Sequence, residues 1–575
     1  MTGRLTPHLR RSLAGAALAI LAIIAVEQFE LTPSYPMTRM LMQTQDVPVL
    51  VPLCALLVAL AAWPLPAAWN HWAKSLAAWT PYSLVTLIFA AGFVVALGTR
   101  YVAGYSPVSH DEIMAAFDAE IIASGRLMAP IPPEWRSLSW GLKPAFRLEV
   151  PGDAAWVSTY LPGNAAIRGM LGKVFDPAIV NALLVVTALV ALLGVARQLW
   201  PKRTEFHVGA VVLAAASSQV LCMGMTPFAT TAHLALNLCW LWLYLRNTPL
   251  GHVAAVSVGL LATGLHQLIF HPIFVAPFVL QMLLDRRWRL GAFYVSSYAA
   301  IGVFWIVYWQ LLLTWHGIAS EAASAAGVSY FIARVAHMLR DFSVSGPETI
   351  VQNLLRFAAW QHPLMLALLA PGMVLGWKAG GVFRSLTGGI VLTVLAMFIL
   401  LPYQDIGWGY RYVHGLIGSA ALLAAFAWRA LASESGPSER AAAWGIMGAT
   451  TAAALLVLLP VHALQMHAYL SPYTRANAAI GASKSEAVVI ETISIYHGIE
   501  LVRNDPYLRN RPLIFDIEAL NEAKIRELCS RMSVSVFDGK EAARYGVTTF
   551  DPKTHPEYAK LHKLRLLLEG PDCRR

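Results

Sequence analysis

Apolar runs of roughly 17 to 25 residues recur along this chain from Leu13 to Val461. A run of that length crosses about 30 Å of hydrocarbon. Inside lipid no water is present to bond the backbone, so each such run must close its own N–H and C=O groups as a helix. With 575 residues, 57% hydrophobic and 13% charged, the chain is too apolar for a soluble enzyme and reads as a polytopic helical membrane protein. The first run, Leu13 to Val26, follows Arg10 and Arg11 as in a signal peptide, but no small-residue cleavage site stands behind it. It is expected to be a retained first helix.

The net charge of +10 raises nucleic acid as a partner, and its distribution argues against one. Basic residues fall in short loops at every second turn: Arg4, Arg10 and Arg11; Lys74; Arg197, Lys202 and Arg203; Arg246; Arg286, Arg287 and Arg289; Lys378 and Arg384; Arg429 and Arg440. That is the positive-inside pattern of membrane proteins. Threading the chain through it gives about thirteen spans, near 12–26, 47–64, 82–99, 177–196, 207–225, 227–245, 252–270, 272–284, 291–313, 351–376, 385–402, 412–430 and 441–463. With a cytoplasmic N-terminus, an odd count puts the C-terminus outside, in a bacterial inner membrane the periplasmic side.

Four intervals then lie on the outer face: 27–46, 100–176, 314–350 and everything after 464. In the third, Val328 to Phe342 has the spacing of an interfacial helix, with Arg334, His337 and Arg340 placed to meet anionic membrane lipids. The last interval changes character. Ala487–Ile490, Leu513–Phe515 and Val534–Phe537 are of strand length and Ile517–Met532 is an amphipathic helix, so residues 464–575 are expected to form a small α/β domain outside the membrane domain of residues 1–463. Cys54, Cys222 and Cys239 lie in apolar runs, whereas Cys529 and Cys573 share the polar tail and can pair in an oxidising compartment.

The outer interval 100–176 opens on Ser109-His110-Asp111-Glu112, followed by apolar residues at helical spacing as far as Ala123 and then Ser124-Gly125. Ser109 or Asp111 can cap this helix, acidic residues suit its first turn and Gly125 suits its end. Asp111-Glu112 with Ala119, Ile122 and Gly125 resembles the Asp-Glu signature in the first large external loop of the GT-C fold glycosyltransferases, among them the protein O-mannosyltransferases and aminoarabinose transferases. Tyr160-Leu161-Pro162-Gly163-Asn164 is similar to that family's Tyr-Pro-Pro-Gly stretch, and Asp405 to Tyr412 resembles its Gly-and-Arg loop.

The resemblance implies an all-α membrane domain of GT-C type. It implies an enzyme that moves a sugar from a polyprenyl-phosphate donor to a lipid, glycan or protein acceptor on the outer face, with inversion. Asp111, or else Glu112, would be the general base, because an acceptor hydroxyl is a poor nucleophile until a carboxylate takes its proton. The leaving lipid phosphate needs cations. The candidates are Arg411, His266, His271, Lys143, Arg147 and Arg168, with Tyr160, Pro162, Asn164 and Tyr410 lining the substrate loops. Some members of the family hold a divalent metal near the donor phosphate. His266 and His271 are five residues apart with no acidic residue nearby, which is not the spacing that aims two imidazoles at one ion, so no metal ligand is assigned. Two alternatives stay open from the residues: a lipid or glycan transporter or flippase, and a ligase or polymerase using polyprenyl-pyrophosphate glycans. Against transport stand the near absence of charge within the spans and of any two-fold repeat.

Overall fold

A computed structural model describes residues 5–27, 29, 36–64, 78–318, 336, 346–433, 436–571 and 573. Arg4, Lys74 and nearly all of the helix expected over 328–342, Arg334, His337 and Arg340 included, lie outside the described residues. Eight described helices are long and apolar enough to cross a membrane, among them Pro7–Glu27, Pro81–Tyr101, Pro177–Leu199 and Gly381–Leu400. A ninth arises if Thr204–Ala215 and Ser218–Gly224, bent by 54° at their junction, count as one span. Three shorter apolar helices, Pro249–Thr263, Phe270–Leu284 and Pro363–Ala379, accompany them. The protein is thus a multi-pass membrane protein, and among the described residues the full-length spans number fewer than the thirteen expected. One reason is local. The apolar run 351–376 divides into helices Gly346–Ala359 and Pro363–Ala379. Pro363 cannot continue a helix but can begin one, and the His362 ring accepts a hydrogen bond from the Leu364 N–H at 3.2 Å to cap it.

By contact the chain gathers into two compact units: Met1–Val102, Ala178–Ile306 and Phe331–Gln465 form one, and Ala103–Pro177, Val307–Tyr330 and Met466–Arg575 the other. The outer loop therefore shares a unit with the C-terminal segment rather than with most of the membrane helices.

The first unit contains what the sequence pattern hides, a fully buried ion pair. Asp46 ends a π-helical turn, Met42–Asp46, inside the apolar helical stretch Pro36–Ala62. Its carboxylate accepts from Arg356 Nε at 3.0 Å and from Trp360 Nε1 at 2.6 Å. Arg356 also donates to the Gly407 carbonyl at 2.7 Å. Other side chains bind the same irregular stretch. Asn353 Nδ2 reaches the Pro402 carbonyl at 3.0 Å, Gln404 Nε2 the Gly409 carbonyl at 2.8 Å and Gln219 Nε2 the Tyr410 carbonyl at 2.8 Å. Non-helical backbone among apolar helices survives only when its polar groups are satisfied within the protein, and these four donors do that.

In the second unit three parallel strands form a sheet with Ala487–Ile490 in the centre, flanked by Leu513–Asp516 and Val534–Phe537. All four residues of the central strand are buried, as expected for a parallel sheet covered on both faces. Phe117, Ile121 and Trp156 of the outer loop share its core with Phe515, Ile525 and Leu528. Trp156 Nε1 donates to the Pro506 carbonyl at 2.9 Å. The helix expected over 517–532 is shorter, Glu522–Arg531, because Asn521 caps it by accepting from the Lys524 N–H at 2.9 Å. Cys529 and Cys573 form a disulfide with their Cα atoms 4.6 Å apart.

Candidate active site

The site is built on the helix His110–Ala123 of the second unit. Ser109 is its N-cap, its hydroxyl accepting from the Asp111 N–H at 3.3 Å. Glu112 closes the reciprocal half, with Oε2 accepting from the N–H groups of Ser109 at 3.1 Å and Val108 at 3.2 Å. This is the capping box, in which the third helical residue reaches back over the first turn. Glu112 is therefore buried under the helix start, while Asp111, one residue earlier, is turned away and remains part-exposed. At the other end Gly125, at φ +80°, lets the chain leave the helix.

A second helix, Gly163–Leu171, lies close against the first. Gly169 makes that approach possible: a Cβ there would come within 2.5 Å of the Ala119 carbonyl oxygen. The stretch that opens this second helix delivers its side chains to the first. The Tyr160 hydroxyl donates to Asp111 Oδ1, and the Tyr160 ring stacks on Phe146 with centroids 5.1 Å apart. Asn164 Oδ1 accepts from the Arg168 Nε at 3.2 Å. Tyr160, Asn164 and Arg168 are thereby grouped with the Asp111-Glu112 turn; Pro162 is the N-cap residue of the second helix.

The surroundings are crowded with buried charge. His110 Nδ1 lies 2.7 Å from Glu500 Oε2. Arg503 donates to the Pro107 carbonyl and, at 3.3 Å, to the Ser106 hydroxyl. Burial pushes the Glu112 carboxyl up to about 7, against the two backbone N–H bonds that favour its anion and with Asp111 and Glu500 adding to the rise. Burial lowers Arg168 to about 10, while Glu112 works in the opposite direction. Lys143 is lowered to about 8 by burial, opposed by Glu500 and Asp118. Its ammonium sits 5.3 Å from the Phe117 ring centroid.

Sequence reasoning missed Asp118. It lies seven residues after Asp111 on the same helix, hence two turns along on the same face. Burial raises its carboxyl to about 7, opposed by a hydrogen bond with Ser158 and by the charge of Lys143. The i, i+7 spacing was a usable signal. It passed unnoticed because Asp118 belongs to none of the motif pieces.

The remaining candidates are placed differently. Arg147 is committed to structure: its Nη2 donates to Ser139 Oγ at 3.1 Å and Asp153 Oδ1 at 3.3 Å, and its guanidinium lies 3.7 Å from the Trp140 ring centroid. Arg411, Tyr410, His266 and His271 belong to the first unit. Arg411 opens the 3₁₀ turn Arg411–Leu416, its N–H held by Gln404 Oε1 at 2.9 Å and its Nη1 donating to the Ile406 carbonyl at 3.2 Å. The fully buried His271 has one ring nitrogen 2.7 Å from Asn237 Oδ1 and the other 2.8 Å from the Tyr298 hydroxyl. Both nitrogens of His271 are thus engaged with neighbouring helices. His266 is half-buried in the loop before it. Among the described residues no three or more His, Cys, Asp or Glu side chains are grouped to hold a metal ion.

No protein-family model and no curated protein matches the chain. Solved structures do. The chain is similar to ArnT from Cupriavidus metallidurans, an aminoarabinose transferase, at 15% identity and a TM-score of 0.50, covering 75% of this chain and 85% of that one. It also aligns with the oligosaccharyltransferase of Archaeoglobus fulgidus, at 12% identity and a TM-score of 0.44 in the apo form, over 78% of this chain and 66% of that one. The chain has the GT-C fold of membrane glycosyltransferases.

Proposed function

We propose that this protein is a membrane glycosyltransferase that moves a sugar from a polyprenyl-phosphate donor to an acceptor hydroxyl or amine, with Asp111 as general base. The observation that carries this reading is the split between two adjacent carboxylates on a GT-C fold. Glu112 is consumed by the capping box, whereas Asp111 is held by the Tyr160 hydroxyl and stays part-exposed. Asp111 takes the acceptor proton as the new bond forms at the sugar carbon. The bond from that carbon to the phosphate oxygen breaks, its electron pair leaves with the lipid phosphate, and in-line displacement inverts the centre. Arg168, in the same unit as Asp111, is the candidate to balance the charge on that phosphate. The Cys529–Cys573 disulfide supports a position for the second unit on the oxidising, outer side of the membrane.

The test is transfer from radiolabelled polyprenyl-phosphate sugars, supplied as a panel of pentose and hexose donors, to membranes holding wild type, Asp111→Asn or Glu112→Gln. Transfer by wild type, lost with Asp111→Asn and retained in part with Glu112→Gln, is expected. Full activity in Asp111→Asn would remove the mechanism.

A further inference from the structure

Asp118 lines a notch in the second unit that the proposed proton transfer does not use. The other lining side chains include Ser158, Tyr160, Tyr308, Trp309 and Leu312. Its water-accessible space is about 20 Å³. That holds one water molecule or one hydroxyl group, and not a sugar ring. Asp118, Tyr308 and Trp309 are all half-buried, so the notch is open at its mouth. The walls are fixed. Trp309 Nε1 donates to the Ser158 carbonyl at 2.9 Å, the Ser158 hydroxyl accepts from the Tyr160 N–H at 3.1 Å, and Tyr160 is tied to Asp111.

A carboxyl group and a serine hydroxyl lining a notch together with Tyr160, Tyr308 and Trp309 match the chemistry of a carbohydrate. One hydroxyl of a sugar can exchange hydrogen bonds with the acid while the C–H face of its ring lies against an aromatic edge. A purely apolar ligand would cover Asp118 while leaving it only its bond with Ser158, so part of its hydrogen-bonding capacity would be lost from water without replacement. Tyr160 lines the notch and also bonds the proposed base, so a ring anchored there is placed beside Asp111. We infer that the Asp118–Ser158–Trp309 notch is a saccharide subsite that takes one hydroxyl or hydroxymethyl group of a substrate sugar and so sets which sugar is used. The inference rests on the glycosyltransferase reading for its substrate class and adds a specificity-determining residue to it. The raised position of the Asp118 carboxyl fits this role, since near neutrality it can serve as donor or acceptor.

Two measurements on the full-length protein in detergent test it. In the first, saturation-transfer NMR uses the methyl glycosides of mannose, galactose and arabinose as probes with wild type, Asp118→Asn and Asp118→Ala. Saturation of ring protons in wild type, reduced with Asn and lost with Ala, is expected. No saturation in wild type, or equal saturation in all three, overturns the subsite and leaves a water site only. This readout needs no turnover, so it separates failure of the subsite from failure of the transferase reading.

In the second, Asp118→Ala is expected to raise KM about tenfold with kcat changed less than threefold, the size of one hydrogen bond to an acidic group. A rise confined to the polyprenyl-phosphate sugar assigns the hydroxyl to the donor; a rise confined to the acceptor assigns it there. A fall in kcat at constant KM overturns the proposal. Thermal unfolding of Asp118→Asn and Asp118→Ala alongside wild type checks that both variants are folded, and Asp118→Asn carries the test if the Ala variant is not.

Discussion

The Arg411 loop of the first unit and the Asp111 helix of the second both gather charge, and they use it in opposite ways. Around residues 402–411 the anion Asp46 faces the cation Arg356, and amide side chains bind the carbonyls of the irregular backbone. Charge there fixes a shape. Around Asp111, burial pushes two carboxyl groups, Glu112 and Asp118, up to about 7, with Asp111 and Glu500 adding to the rise at Glu112 and Lys143 opposing it at Asp118. Acids poised near neutrality are what proton transfer requires, and functional sites are where such shifts collect. The paired charge of the first unit is therefore read as scaffold, and the buried carboxyl groups around Asp111, shifted toward neutrality, as the surroundings of the candidate chemistry.

The sharpest way to break that contrast is to neutralise one member of each region. Asp111→Asn keeps the size and a hydrogen-bond acceptor for Tyr160 but removes the base. It is expected to lower kcat by about 10² to 10⁴ with unfolding temperature nearly unchanged. In the first unit Arg356→Met leaves Asp46 buried without its cation, which costs roughly 3 to 5 kcal/mol of stability. Arg356→Met should thus fail in a thermal-unfolding assay before it can be judged for activity. The double variant with Asp46→Leu should recover much of the loss, since an apolar pair of similar volume is tolerated better than a lone charge. If the single Met variant melts like wild type, the scaffold role of this pair is wrong.

A smaller effect is expected at Gly409. Its φ of +75° suits glycine, and a Cβ there would lie 2.7 Å from Gln219 Oε1. Gln219 also binds the Tyr410 carbonyl, so Gly409→Ala disturbs the fastening next to Arg411 as well as straining the backbone. A loss of about 2 kcal/mol is expected. If Arg411 contacts the donor phosphate, donor KM should rise with it while kcat holds; an unchanged KM removes Arg411 from donor binding.

The difference between the regions also explains what the sequence made legible. The capping box spans four consecutive residues, and the strands at 487–490, 513–516 and 534–537 are local apolar runs, so each could be read from short windows. Tyr160 was found only through a family resemblance, since 49 residues separate it from Asp111. The Asp46–Arg356 pair spans 310 residues and had no local signal beyond an arginine inside a presumed span. That arginine should have demanded a partner, because charge at membrane depth is seldom left alone. The thirteen spans came from hydropathy windows that do not see a break such as Trp360–His362, where one proline and one capping ring outweigh a continuous apolar run.

The finest prediction concerns Glu112 alone. Its carboxyl titrates at 4.5 in an ordinary setting and near 7 when buried in the folded chain. Between those values the folded state keeps a proton that the unfolded state has released, so stability falls as pH rises through the window from about 4.5 to about 7. Glu112→Gln retains an oxygen to accept from the Ser109 and Val108 N–H groups and removes the titration. The variant should therefore lose less stability than wild type between those two pH values, by about 1 to 2 kcal/mol, as read from thermal unfolding across the range. Asp118 titrates near the same point, so the Glu112→Gln profile should flatten without becoming level. Parallel profiles would mean that Glu112 is ionised throughout. Burial at the start of the Asp111 helix would then not hold a proton on Glu112.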